Sequence, residues 1–147
     1  WWQDTAFVEG WALYTERLAR EMGFYQDPYA DFGRLAGELW RASRLVVDSG
    51  LHAKRWSREQ AIAWLDANTP SPHAANVQAV DRYLAVPGQA TAFTVGMLRI
   101  VEERERARRE LGPRFDLREF HAAVLENGYV PLWALRENVD RWIASRR

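Results

Sequence analysis

Glu9 is the residue whose surroundings most clearly indicate chemistry. It lies in the apolar and aromatic stretch AFVEGWALY, with no basic residue within four positions on either side. Burying an unpaired carboxylate is costly, so Glu9 is expected to be solvent-exposed, protonated, hydrogen-bonded to a distant group or bound to a cation, and exposure is the commonest outcome. The adjacent Gly10 would cost a helix about 1 kcal/mol relative to Ala, which indicates that another backbone or a ligand approaches closely.

Two further segments combine polar residues with a helical setting. In RASRLVVDSGLH, Arg41, Arg44 and Asp48 recur at helical steps on one face and His52 follows. This pattern is equally typical of an ion-pair stripe and of a functional polar face. In RYLAVPGQATAF, a Pro-Gly break separates two polar groups, and such a segment either lines a cleft or forms a loop beside a core tyrosine. Its polar residues are Arg82, Tyr83 and Gln89.

The histidines do not form a metal motif by themselves. His52, His73 and His121 are far apart, and none belongs to an H-E-x-x-H pair on one helical face. His73, beside two prolines, is typical of a loop residue. The charged run RIVEERERARRE, residues 99–110, offers i to i+4 pairs and is typical of a solvated helix face.

Composition excludes several classes of protein. The 147 residues, 48% of them hydrophobic, suffice for one packed domain over 1–147. Twenty basic against twenty acidic residues disfavour nucleic-acid binding, and the absence of cysteine excludes disulfides, thiolate zinc sites and cysteine nucleophiles. The sequence contains no apolar run of about 18 residues, the length that would indicate a membrane span. It also contains no G-x-S-x-G motif, which a serine hydrolase would be expected to have. The compartment stays open.

Hydrophobic periodicity predicts an all-α fold of about seven helices. Asp4 caps the first, which closes at Gly23, and a second runs from Pro28 past Leu35, Leu39 and Val46 toward Gly50, forming a hairpin with the first. The remaining helices are expected after Ser57, over about 74–85, from Pro87-Gly88 to Gly112-Pro113, from Asp116 to Gly128, and after Pro131.

Several long motifs carry a family resemblance over nearly the whole chain. FVEGWALYTE, GFYQDPYADFGRL, LWRASRLVVDSGLH, WSREQAIAWL, DRYLAVPGQA and FDLREFHAAVLENGYVPLWAL closely resemble the C-terminal part of the bacterial domain-of-unknown-function 885 family. That family is similar to helical zinc metallopeptidases of the gluzincin type. In those enzymes two histidines of an H-E-x-x-H helix precede a third zinc ligand, a glutamate on a later helix.

The resemblance implies that Glu9 is this third zinc ligand. It also implies that a tyrosine or histidine of the C-terminal half stabilises the oxyanion, and Phe93 stands where the family commonly has tyrosine. Tyr83 and His52 are the candidates to replace that hydroxyl, and Arg44, Arg82 and Gln89 are expected to line the substrate cleft.

The expected function is therefore that of the C-terminal part of a zinc-dependent peptidase acting on peptides. The chain starts at Trp1-Trp2 without Met, and we expect the H-E-x-x-H helix upstream, so the 147 residues alone should bind no zinc and be inactive. The alternative is a non-catalytic helical scaffold or binding module. Without the upstream part, some of the rings of Trp1, Trp2, Phe7 and Trp11 are expected to face water, and the chain is expected to pair as a homodimer.

Overall fold

The chain is all-α, as the sequence predicts. A computed structural model describes residues 4–147, so Trp1 and Trp2 lie outside the described residues. Within that range seven α-helices occur and no strand. They are α1 Thr5–Glu21, α2 Pro28–Ala53, α3 Arg58–Asn68, α4 His73–Ala85, α5 Ala92–Leu111, α6 Leu117–Leu125 and α7 Leu132–Arg146, with short 3-10 turns at Gln89–Thr91 and Gly112–Arg114.

Local capping chemistry sets the helix starts. The Asp4 carboxylate accepts a hydrogen bond from the Phe7 amide at 2.9 Å and begins α1. Ser57 and Gln60 form a reciprocal capping box at the start of α3. The Asp116 side chain caps α6. These caps were visible in the sequence, and each satisfies amide groups that the first turn of a helix leaves without partners.

The closest helix crossing joins α1 to α5. A Cβ added at Gly10 would lie 2.4 Å from the Gly96 backbone, and one added at Gly96 would lie 1.7 Å from the Ala6 carbonyl oxygen. The expected close approach at Gly10 is therefore confirmed. The expected hairpin of α1 with α2 is wrong, because α1 packs chiefly against α5 and only slightly against α2.

Two buried clusters stabilise the fold. The first core joins α1, α5, α6 and α7, and the second joins α2, α3 and α4. Phe7 is fully buried in the first core and Trp11 packs partly buried against it, so neither of these two rings is left exposed; Trp1 and Trp2, the other two rings of that expectation, lie outside the described residues. Their burial follows from the α1–α5 crossing, which places both rings beneath neighbouring helices.

Several large apolar side chains of α2 are exposed to solvent. Phe32, Leu35, Leu39 and Val46 are between 42% and 65% exposed. The helix also continues past Gly50 to Ala53, and the Trp56 ring packs so closely on Gly50 that an added Cβ would lie 2.5 Å from it. Gly50 is thus required for packing and does not end the helix.

The charged run of α5 is only partly solvated. Glu103 and Arg104 are buried, which contradicts the expected solvated face. Glu103 is paired with Arg106, and Arg104 reaches Glu21 at the end of α1. Among residues 4–147 no single helix is long and apolar enough to cross a membrane, although α4 and Gln89–Arg114, bent by 116°, pass on combined length and composition.

Candidate functional site

A pocket of about 300 Å³ brings together most of the polar residues that the sequence singled out. It lies where α1, α2 and α4 meet the turn before α5. Glu9, Arg44, Arg82, Tyr83 and Gln89 line it, together with Ala79 and Phe93. These five polar residues come from three separate stretches of the chain, so the fold assembles one site from them.

Arg44 is the most unusual group of the pocket. Its guanidinium lies over the ring of Phe93 at 5.1 Å and the ring of Trp40 at 5.5 Å, and it makes no ion pair with any described residue. Its Nε atom is buried without a hydrogen-bond partner among those residues. Burial lowers the pKa of Arg44 below its ordinary value and the nearby charges of Arg41 and Arg82 lower it further, while Tyr83 and Glu9 oppose this shift. An arginine stays protonated under these conditions, so the pocket contains a cation that no described carboxylate pairs with directly.

Tyr83 places a second polar group in the pocket without a partner. Only 4% of this residue is exposed, and its hydroxyl has no hydrogen-bond partner among the described residues. Burial raises the pKa of Tyr83, while the Arg44 charge opposes that rise. The hydroxyl therefore keeps its proton at neutral pH and remains a hydrogen-bond donor beside the Arg44 guanidinium.

Glu9 and Gln89 form the opposite part of the lining. Glu9 is half-buried, and Gln89 Nε2 donates to its Oε1 at 3.4 Å, a long hydrogen bond. Gln89 follows the left-handed Gly88, whose amide donates to both carboxylate oxygens of Asp48 at 3.1 Å. The buried Asp48 thus fixes the Pro87-Gly88 turn and, through it, the position of Gln89.

The ion-pair stripe on α2 is wrong as an interpretation of its polar residues. Arg41 pairs with Glu16 of α1 at 2.9 Å, and Asp48 binds the Gly88 amide. Arg44, between them in sequence, faces the pocket instead. The three side chains serve three different neighbours because each packs against a different element.

His52 lies outside the pocket lining. Its ring is exposed, and its Nε2 atom shares a hydrogen bond of 3.0 Å with the Tyr83 carbonyl oxygen. His52 thus contacts the backbone of Tyr83 rather than the space that the Tyr83 hydroxyl faces. Of the two candidates for the missing hydroxyl of Phe93, only Tyr83 has its side chain in the pocket.

A second polar network, which the sequence did not reveal, links α1 to α5 and α6. Arg104 donates to both carboxylate oxygens of Glu21, at 3.1 and 2.6 Å, and at 3.3 Å to the Tyr14 hydroxyl. The Tyr14 hydroxyl and His121 Nε2 are 2.7 Å apart. Burial, followed by the Arg104 charge, lowers the pKa of His121. The partners are 83 to 107 residues apart, so no local pattern could have indicated them.

The pocket offers one metal-ligand side chain. Among residues 4–147 no group of three or more His, Asp or Glu side chains could hold a metal ion. The half-buried Glu9 carboxylate, with one long hydrogen bond, could supply a single oxygen ligand. A larger groove of about 730 Å³ lies between α6 and α7, lined by residues such as Glu119 and Trp142, but it includes none of the pocket residues.

Comparison with known proteins gives a family and a structural relative. No curated protein matches the chain. A solved structure described as "the putative lipoprotein from Colwellia psychrerythraea" is similar to it, with 51% identity and a TM-score of 0.94. The match covers 96% of this chain and 24% of that one, so the chain spans about a quarter of the relative's length. The model of the family described as "Bacterial protein of unknown function (DUF885)" matches residues 1–139, and the chain belongs to this family.

Proposed function

We propose that this chain forms part of the substrate cleft of a zinc-dependent peptidase, with Glu9 as one of the zinc ligands. One observation carries the proposal: the Glu9 carboxylate lies at the wall of a pocket with a single long hydrogen bond, beside unpartnered polar groups of Arg44 and Tyr83. A carboxylate held half-buried in this way is suited to bind a cation.

The described residues fit one ligand of a zinc site and no more. The proposal therefore takes the other two ligands, and the general base, from an H-E-x-x-H helix outside these residues. Zinc supplies a Lewis acid and an activated water when it is bound.

The chain's own residues would bind and orient a peptide. The Tyr83 hydroxyl would donate a hydrogen bond to the substrate oxygen on which negative charge develops, in the role that Phe93 has no hydroxyl to perform. The Gln89 amide would hydrogen-bond the substrate backbone, and the Asp48–Gly88 contact, which fixes its turn, supports this role. Arg44 and Arg82 would supply the positive charge of the cleft.

The proposal is tested on the protein that contains this chain. Glu9→Gln should remove bound zinc and peptidase activity while leaving the helical circular dichroism unchanged, because Glu9 lies outside both buried cores. Glu16→Gln, on the same helix but paired with Arg41, is the matched control and should retain both. Retained zinc and activity in Glu9→Gln would contradict the role of Glu9 as a ligand.

A non-catalytic binding module is the second candidate, favoured by the incomplete ligand set among residues 4–147. An H-E-x-x-H helix in the longer gene product would support the enzyme, and its absence would support the module. The 147 residues alone should bind far less than one equivalent of zinc in either case, because one carboxylate does not make a tight site. Stoichiometric zinc in that chain, measured by elemental analysis, would show that it contains further ligands.

A further inference from the structure

The Arg44 guanidinium, which has no ion-pair partner among the described residues, indicates the ligand's charge. We propose that Arg44 binds a carboxylate of the ligand, and that this carboxylate is the free C terminus of a peptide. The carboxylate site stands on the geometry alone, whereas its identification with the end of a peptide substrate rests on the proposed function.

Arg44 is held in place for such a contact. The rings of Phe93 and Trp40 pack against its guanidinium, at 5.1 and 5.5 Å from the ring centroids, and restrict its orientation. No described carboxylate pairs with it, in contrast to Arg34, Arg41 and Arg104, which all do. A desolvated guanidinium without an anion is unfavourable, and a ligand carboxylate would relieve this with two parallel hydrogen bonds.

The rest of the lining suits a singly charged anion. Arg44 and Arg82 against Glu9 give the pocket a formal charge of plus one, which matches a carboxylate better than a doubly charged phosphate. Tyr83 and Gln89 add neutral donors beside the cation. The volume of about 300 Å³ is at the lower end for small-molecule sites, as expected for a pocket that takes the last residue of a chain.

The experiment compares an N-acetylated dipeptide with a free C terminus to the same peptide with a C-terminal amide. Binding is measured by calorimetry on the protein that contains this chain, after chelator treatment, so that the readout does not depend on zinc or activity. We expect the free acid to bind at least about tenfold more tightly than the amide, because a charged hydrogen-bonded pair is lost in the amide.

Variants of Arg44 test whether this residue causes the tighter binding of the free acid. Arg44→Gln should remove the preference for the acid, whereas Arg44→Lys should keep a reduced preference because it retains the charge but loses the planar fork. Arg41→Gln, one turn earlier on α2 and paired with Glu16, is the control and should keep the full preference.

Equal binding of acid and amide, or a full preference in a folded Arg44→Gln protein, would overturn the inference. This outcome is separate from that of the proposed function. If Glu9→Gln keeps zinc and activity while the acid preference depends on Arg44, the peptidase role of Glu9 fails and the carboxylate site stands. If the acid preference is absent while Glu9→Gln loses zinc, the carboxylate site at Arg44 fails and the role of Glu9 as a zinc ligand stands.

Discussion

Asp48 shows how one buried side chain can position a site that it does not line. Both of its oxygens accept from the Gly88 amide, and this left-handed glycine turns the chain from α4 toward Gln89. The carboxylate has no cationic partner among residues 4–147. Its function in the fold is therefore to satisfy the amide of a turn, which in turn fixes one wall of the pocket.

Asp48→Ala should loosen this turn without unfolding the helices. The Gly88 amide would lose its acceptor, at a cost of about 1–3 kcal/mol, and its hydrogen should exchange with solvent faster than in the wild type. Asp48→Asn keeps one acceptor oxygen and is the control, with an intermediate rate. Unchanged exchange at Gly88 in Asp48→Ala, measured by NMR, would show that something else holds the turn.

His121 predicts a pH dependence of stability. Its pKa is lowered by burial, so between that value and the ordinary value of about 6.5 the unfolded chain binds more protons than the folded one. Stability should therefore fall as the pH decreases from about 7 toward 5. The Tyr14 hydroxyl, which accepts from Arg104, donates most readily to a neutral His121 ring, in agreement with this direction.

His121→Phe should reduce this slope, because phenylalanine keeps the ring beside Trp11 and Phe120 but does not titrate. Urea unfolding at pH 7 and pH 5 measures the change in the free energy of unfolding. His52→Gln alters an exposed ring and serves as the control that keeps the wild-type slope. A slope in His121→Phe equal to the wild type would assign the pH dependence to other groups.

At the scale of elements, the crossing of α1 and α5 depends on two glycines. Gly10→Ala would place a methyl group 2.4 Å from the Gly96 backbone, which cannot move aside as a flexible side chain does. We expect a loss of about 3 kcal/mol in the free energy of unfolding, and a fall in Tm of roughly 2–4 °C for each kcal/mol.

Gly33→Ala is the matched control for this substitution. Gly33 lies inside α2 with no heavy atom within 4 Å of an added Cβ. The same chemical change should therefore stabilise the protein by about 0.5–1 kcal/mol through helix propensity. A rise in Tm in both variants would show that the crossing of α1 and α5 tolerates a methyl group at position 10.

The helices were predictable from sequence because their starts and stops are local. Asp4, Ser57 and Asp116 cap the helices that their patterns indicated, and Gly23 takes the left-handed conformation just past α1. Helix partners are not local, so the pairing of α1 with α5 through Gly96 was missed. Burial of Glu103 was missed for the same reason, since its α5 neighbours alone resemble a solvated face.

The pocket was partly predictable at the scale of the whole molecule. Unusual residues in unusual settings, such as Glu9 among aromatics and Arg82-Tyr83 before a Pro-Gly break, identified five of its lining residues. Their assembly depends on tertiary packing that no spacing encodes. In the folded chain His52 contacts the Tyr83 carbonyl oxygen and lies outside the pocket lining. Arg44 has no ion-pair partner among the described residues, although a stripe of charges on α2 would have supplied one.

The outer face of α2 exposes several large apolar side chains to solvent. Phe32, Leu35, Leu39 and Val46 recur at helical steps on this α2 face and are exposed together, with Tyr29 nearby at 85% exposure. Contiguous exposed apolar surface of this kind usually associates with a partner. We therefore predict that any self-association of the 147-residue chain uses the outer face of α2, since Phe7 and Trp11 are covered.

Light scattering of the 147-residue chain over a concentration series should show dimers or larger species. The combined change Leu35→Glu and Leu39→Glu should shift the chain toward monomer, because charges on the paired faces would have to be desolvated. Leu125→Glu, at a similarly exposed leucine on α6, is the control and should not shift it. A wild-type chain that stays monomeric at high micromolar concentration would contradict this prediction, because the exposed apolar face of α2 would then be too small to hold two copies together.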